Sequence, residues 1–366
     1  VSDVVPIEAQ KAEVFTAATT RLNPFDRRQI FGIDLRGWRL VWLVLGLAVA
    51  LALPFLVPGF TIFQLTQAII YAMAIQGLNL LTGYNGQFSL GHSAFYAVGA
   101  YTAAIMMFHF EIHYLWTLPV AFIVTLFVGF LFGFPALRLE GLHLALATFA
   151  LAVATPQLLK WKPIEHWTGG VQGLFVFQPD PPLGLPLTQD QYLYYLCLAV
   201  MLILFVCAWN LVRGRTGRAM VAIRDNPLSA KSMGINTAIY KSLTFGVSAA
   251  YTGVAGALGA IVVGFVAPDS FTFLLAVLFL VGLVVGGVAS IWGPIIGGIF
   301  VLFIPNISDN VQTMIGGWFG WIGINITWLV YGVFLILVVY FMPSGFAGLW
   351  RWLTNQLLRI SAKSPS

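Results

Sequence analysis

Between residues 40 and 345 long apolar blocks alternate with short polar breaks. No Asp, Glu, Lys or Arg occurs in 40–110, 112–137, 270–308 or 310–350. The blocks are continuous Leu, Val, Ile, Phe and Ala, without the residue-by-residue alternation of a barrel strand. Runs of about 20 such residues cross a bilayer as helices, because a helix satisfies its own backbone groups in lipid. The pattern predicts ten spans: 40–57, 61–81, 92–108, 117–136, 142–158, 191–212, 242–265, 272–289, 291–305 and 326–342. The ninth is short and rich in Gly and Pro. The fold class expected is an all-α polytopic membrane protein.

Composition agrees. The hydrophobic share is 59%, the charged share 8% and the mean hydropathy +0.90, against about 25% charge in a soluble domain. The net charge of +5 bears on orientation, and does not point to nucleic acid. With the N-terminus inside, ten spans place 1–39, 137–141, 213–241 and the C-terminal tail in the cytoplasm. Sixteen of the eighteen Lys and Arg then lie inside, leaving Lys160 and Lys162 outside. That asymmetry is what positive-inside sorting gives. Without the ninth span, Arg351, Arg359 and Lys363 would fall outside.

Three parts follow. Residues 1–39 form a cytoplasmic extension with an interfacial helix expected near 25–38, residues 40–345 form the membrane domain, and 346–366 form a cytoplasmic tail. An external loop covers 159–190 and a basic cytoplasmic loop 213–241. The basic loop holds Arg213, Arg215, Arg218, Arg224, Lys231 and Lys241 against a single acid, Asp225. Asn226-Pro227 reads as a helix cap followed by Pro in the first turn, and Gly234 as the stop. A short amphipathic helix is expected between them, with Leu228, Met233 and Ile235 available to an apolar surface of something in the cytoplasm.

Several stretches carry candidate chemistry. GYNGQFSLGHSAFYAVGAY at 83–101 interrupts apolar sequence with Gly83, Asn85, Gly86, Gln87, Ser89, Gly91 and His92. Irregular backbone at membrane depth must be sheltered by protein or line a watery cavity. The segment reads either as a broken helix on a solute route or as a tight turn between helices. TGGVQGL at 168–174 reads either as a structured lip or as a flexible external loop. GGVASIWGPIIGG at 286–298 reads foremost as a close helix-packing face. Its faint likeness to GQFSLG at 86–91 raises an inverted repeat of spans 2–5 and 7–10, a plan common in transporters.

Other classes recede. The predicted spans hold no Asp, Glu, Lys or Arg, which argues against proton or sodium coupling within this chain. There is no G-x-x-x-x-G-K-[ST] nucleotide loop and no nucleophile, metal or carboxylate set of an intramembrane enzyme. His92, His109, His113, His143 and His166 lack metal-ligand spacing, although His109 and His113 are four apart in an external connection. Cys197 and Cys207 fall in one helix roughly 15 Å apart, too far to bridge. No cleavable signal peptide is visible. A passive channel remains open, since backbone carbonyls can serve as its filter.

In order along the chain, GYNGQFSLGHSAFYAVGAY, LHLALATFALA, TGGVQGL, GRAMVAIRDNPLSAKSMGI, FGVSAAYTGVAGALGA and GGVASIWGPIIGG resemble the membrane permease of high-affinity branched-chain amino acid ABC importers. The extension 1–39 suits the M-type subunit of that family better than its shorter H-type partner. The resemblance implies a second homologous H-type permease, two cytoplasmic ATPases that bind ATP and Mg, and an extracytoplasmic solute-binding protein. No cofactor is implied in this chain itself. Arg218, Arg224, Asn226, Ala230 and Gly234 match the family's ATPase-coupling segment. The same architecture carries urea and short amides, so the solute stays open between these and Leu, Ile or Val. Gln64, Gln67, Gln76, Asn79, Gln87, Ser89 and Thr148 are candidates to line the route, or equally to hydrogen-bond between helices.

Overall fold

A computed structural model describes residues 38–303 except 138, 140 and 183–186, together with 332, 336, 340, 345 and 346. Helix α1, Trp38–Leu56, belongs to a separate unit. Its Val44, Leu45, Val49, Phe55 and Leu56 are exposed, as a lipid-facing helix requires.

The second unit begins at Val57. Helix α2, Gly59–Leu78, opens behind Pro58 and runs on into a π-helical turn, Asn79–Tyr84. Helices α3, His92–His109, α4, Tyr114–Ala136, and α5, Leu142–Leu159, follow. After a short helix α6, Glu165–Thr168, and a strand β1, Leu174–Phe175, comes α7, Gln189–Arg213. Its start is fixed by a reciprocal cap in which Thr188 and Gln191 satisfy each other's backbone donors. Two further helices, α8, Arg215–Asp225, and α9, Pro227–Ser232, occupy the basic loop. Helix α10, Thr237–Val263, strand β2, Phe265–Val266, helix α11, Phe273–Gly286, and helix α12, Gly293–Phe303, complete the described chain.

Each of the first nine spans read from sequence coincides with a helix to within five residues at either end. Five described helices are long and apolar enough to cross a membrane: Gly59–Tyr84, Tyr114–Ala136, Leu142–Leu159, Gln189–Arg213 and Thr237–Val263. The segments Val44–Leu56, Phe273–Gly286 and Gly293–Phe303 are apolar but shorter. The protein is therefore a mostly helical, polytopic membrane protein. The tenth span, 326–342, lies outside the described residues apart from isolated positions, as do the expectations for 1–37 and for most of 346–366.

Helix α10 is the axis of the core. It packs on α2, α3 and α4, and 89% of its most apolar stretch is buried in the protein, against 22% for α4. The contact with α3 is backbone on backbone: a Cβ on Gly99 would fall 1.9 Å from the Gly253 carbonyl oxygen. Lipid offers little hydrophobic drive between helices, so such close approach supplies the packing energy. Phe95 sits edge-on to Phe245 at 5.7 Å and to Phe132 at 6.4 Å, tying α3 to α10 and α4.

The described connections gather at two ends. At one end lie α6 and the TGGVQGL segment, whose Gly170–Gln172 forms a 3-10 turn. Thr168 donates to the Leu159 carbonyl and accepts from Gly170 N–H. β1 pairs antiparallel with β2, Leu174 opposite Val266 and Phe175 opposite Phe265. Lys160, one of the two lysines that the charge pattern sets apart from the other sixteen Lys and Arg, pairs with Asp269 here. At the other end lie 79–91, α8, α9 and the α11–α12 turn. The segments 86–91 and 286–293 share that end, so their likeness does not support an inverted repeat, whose equivalent segments would lie at opposite ends.

Candidate functional site

Residues 79–92 form the irregular heart of this second end. The α-helix widens at Asn79, and Gln87 N–H reaches back to the Leu81 carbonyl to close the turn. Asn85, Gln87, Ser89 and His92 are all buried, so the broken backbone is sheltered as membrane depth demands. Their partners are close. Asn85 Nδ2 donates to Gln87 Oε1 at 3.0 Å, and Thr82 Oγ1 to the Gln87 carbonyl at 3.0 Å. Leu90 N–H donates to Thr148 Oγ1 of α5 at 2.9 Å. Ser89 Oγ lies 3.1 Å from His92 Nδ1, and His92 Nε2 lies 2.8 Å from Ser248 Oγ of α10.

Asn79 fixes the neighbouring turn. Its Nδ2 donates to the Ser290 carbonyl at 2.7 Å, and its Oδ1 accepts from Ala289 N–H at 2.9 Å. One amide thus reads the backbone of a turn in which Ala289 itself holds φ at 57°, a conformation that needs outside support in a residue with a Cβ. The GGVASIWGPIIGG stretch behaves as a packing face. A Cβ on Gly286 would meet the Gly293 carbonyl at 2.1 Å, and one on Gly298 the Ala68 carbonyl of α2 at 2.5 Å.

The candidate route residues are therefore only partly assembled. Asn79, Gln87, Ser89 and Thr148 gather around the broken segment. Gln76 is fully buried on the preceding turn, with neither amide atom hydrogen-bonded. Gln64 and Gln67 lie on the same helix about 14–18 Å farther along its axis, Gln67 buried and Gln64 half-buried. Ser248, absent from the candidates, joins the cluster through His92. Its trace in the sequence is the stripe of small and polar residues, Ser248, Thr252, Gly253 and Gly256, on the buried side of α10.

The basic loop is a helix pair. The sequence shows α9 through its cap and stop, and α8 escapes because its inward side is made of small residues, Gly217 and Ala219, beside Met220 and Ile223. Asn226 Oδ1 accepts from Ser229 N–H at 3.0 Å, capping α9. Gly234, at φ 82°, turns the chain back toward α10. Ala230 is buried beneath the helix, while Leu228 and Met233 are 78% and 83% exposed beside Lys231. Arg218 donates to the Arg213 carbonyl at 3.2 Å. Arg224 is exposed and spans two partners: Nη1 donates to the Gly83 carbonyl at 3.0 Å, while Nη2 contacts Asp225 at 2.9 Å.

Among the described residues no group of three or more His, Cys, Asp or Glu is placed to hold a metal. At the opposite end His109 meets His166 and Trp167, with ring centroids 5.5 and 5.2 Å apart.

Comparison with known proteins places the chain in a family. Residues 60–342 match the family model described as branched-chain amino acid transport system / permease component. The chain is 30% identical over 304 residues to the high-affinity branched-chain amino acid transport system permease protein LivM of Escherichia coli K12, covering 76% of this chain and 71% of that one. It is 26% identical over 305 residues to BraD of Pseudomonas aeruginosa, a permease of the same description, covering 78% and 93%. The autoinducer 2 import system permease LsrC of Escherichia coli is 29% identical over 203 residues, 52% of this chain and 56% of its own. No solved structure matches. With its family model spanning residues 60–342 and LivM matched over 76% of the chain at 30% identity, this protein belongs to the branched-chain amino acid transport system permease family.

Proposed function

We propose that this chain is an M-type subunit that passes Leu, Ile or Val through the cytoplasmic membrane on work supplied by ATP hydrolysis in partner chains. The permease family membership supports the coarse reading. One structural observation carries the finer one: the exposed helix α9, capped by Asn226 and ended at Gly234, holds Leu228 and Met233 out among basic residues. Such a tip presents an apolar contact within a positive field, suited to a groove on a cytoplasmic ATPase. In this reading α8 and α9 face the cytoplasm, ten spans keep both termini there, and Arg218, Asn226, Ala230 and Gly234 shape the docking unit. A second, H-type permease completes the route, two ATPases bind ATP and Mg, and an extracytoplasmic binding protein delivers the solute. Closure of the ATPases on nucleotide would shift the helix pair and bias which side of the route is open.

The similarity to the branched-chain permeases runs over about three quarters of the chain, that to the autoinducer 2 permease over about half. The longer match favours an amino acid as solute. The test is uptake of labelled leucine and of labelled urea by the complete importer in vesicles. Leucine uptake that needs internal ATP and persists with a protonophore present supports the reading. Uptake of urea alone changes the solute, and passage of either solute without ATP makes the protein a facilitator.

A further inference from the structure

Arg224 is exposed and pairs with its neighbour Asp225, yet its guanidinium also reaches a backbone carbonyl of a distant segment. It is the penultimate residue of α8, two positions before the Asn226 that caps α9. Its guanidinium donates to the Gly83 carbonyl at 3.0 Å, and a Cβ on Gly86 would lie 2.6 Å from its Cγ. Gly86 holds φ at 73° and leaves the space that the arginine stem fills. Both ends of this contact are at joints. One is the elbow between the two cytoplasmic helices, and the other is the junction where the π-turn gives way to irregular backbone. From there the contact extends: a Cβ on Gly83 would collide with Asn79 Oδ1 and Ala289 N, and Asn79 holds the 289–290 turn.

We propose that Arg224 is a positioning strut through which displacement of the α8–α9 pair is passed to the irregular segment 83–91 and, by way of Asn79, to the α11–α12 turn. This rests on the reading that α9 docks an ATPase. The obvious rival route is along α10, which continues from α9. Helix α10 is locked among α2, α3 and α4 by close backbone contacts, so moving it means sliding a close-packed core. The segment 83–91 loses helical geometry after Tyr84, so its backbone can shift by rotation about a few bonds where a helix must move as a body, and single side chains tie it to α8, α5 and α10. Arg224 joins the elbow to the first irregular turn, and Asn79 joins that turn to the second.

The experiment uses the complete importer in vesicles, with ATPase retention, ATP hydrolysis and leucine uptake measured on one preparation. Arg224→Ala is expected to keep the ATPases bound while leucine taken up per ATP hydrolysed falls about tenfold, within the range typical of coupling changes. Arg224→Lys, which still donates to a carbonyl, is expected to restore most of the ratio. Gly86→Ala is expected to mimic Arg224→Ala, and the double variant to be no worse than either single one, since both break one contact. Loss of the ATPases from Arg224→Ala would make Arg224 a docking residue and overturn the strut with the importer reading intact. An unchanged ratio would also overturn it. Absence of ATP-dependent leucine uptake in the unsubstituted complex would instead remove the reading on which the strut rests.

Discussion

His92 Nε2 lies 2.8 Å from Ser248 Oγ, and that hydroxyl donates to the Gly77 carbonyl at 2.6 Å. Since the serine proton is committed to the carbonyl, Nε2 must be the protonated ring nitrogen and Ser248 its acceptor. Nδ1 is then free to accept from Ser89 Oγ at 3.1 Å. Three side chains thereby link the broken segment, the start of α3 and the middle of the core in one directed chain of hydrogen bonds.

Ser248→Ala should lower the stability of the purified protein, because the His92 donor would stay buried with nothing to receive it. A stranded buried group costs about 1–3 kcal/mol. Thermal unfolding followed by size-exclusion recovery in detergent checks this. Ser248→Thr, which keeps the hydroxyl, is expected to recover part of the loss. Equal recovery of Ser248→Ala and the unsubstituted protein would show that the chain of bonds contributes nothing.

Asn79 presents a donor and an acceptor to the backbone of Ser290 and Ala289, so two substitutions separate its roles. Asn79→Ala removes both bonds. Asn79→Asp keeps the acceptor for Ala289 N–H but turns a carboxylate oxygen toward the Ser290 carbonyl, where two acceptors repel. Leucine uptake should fall in both, and Asn79→Asp should be no better than Asn79→Ala despite its closer shape. Uptake by Asn79→Asp at the unsubstituted rate would mean that the turn does not need this amide.

Gly99 and Gly253 hold α3 and α10 at backbone contact. Gly99→Ala should therefore prevent correct packing, with loss of folded protein from the membrane, since the obstacle is a carbonyl and not a movable side chain. Gly46 has nothing within 4 Å of the corresponding Cβ position. Gly46→Ala should be neutral or raise stability by about 0.5–1 kcal/mol through helix propensity. Expression yield and monodispersity of the two variants measure the contrast.

The first nine apolar stretches were legible as helices because lipid imposes one rule on every residue of a crossing helix, and Leu, Val and Phe blocks obey it whatever their neighbours are. The cap and stop of α9 were legible for a similar reason: Asn226, Pro227 and Gly234 act on backbone within one turn of themselves. Helix α8 was not, because its inward side is Gly217 and Ala219, whose burial depends on what approaches them. The clustered route candidates divide in the same way. Asn79, Gln87 and Ser89 could be named as buried polar groups, but that Asn79 grips residues 289 and 290 is a contact across 210 positions of chain. The reach of Arg224 to Gly83 was equally hidden, since nothing in the sequence pairs this basic loop with Gly86, which leaves room for the arginine stem.

Gly234 allows the sharpest test of the docking unit. Its φ of 82° is closed to proline, whose ring holds φ near −65°, and its N–H donates to the Lys231 carbonyl at 3.1 Å. Gly234→Pro removes that bond and the left-handed turn together, so the last turn of α9 and the exposed Met233 must move. Asn226→Ala acts at the other end of the same helix, removing the cap at about 1 kcal/mol without forbidding the fold. If α9 is what the ATPases grip, Gly234→Pro should strip them from the purified complex and Asn226→Ala should weaken their retention by a smaller factor. The permease should remain in the membrane in both cases, because the spans are untouched. Full retention of the ATPases in Gly234→Pro would place the docking surface elsewhere on the cytoplasmic face.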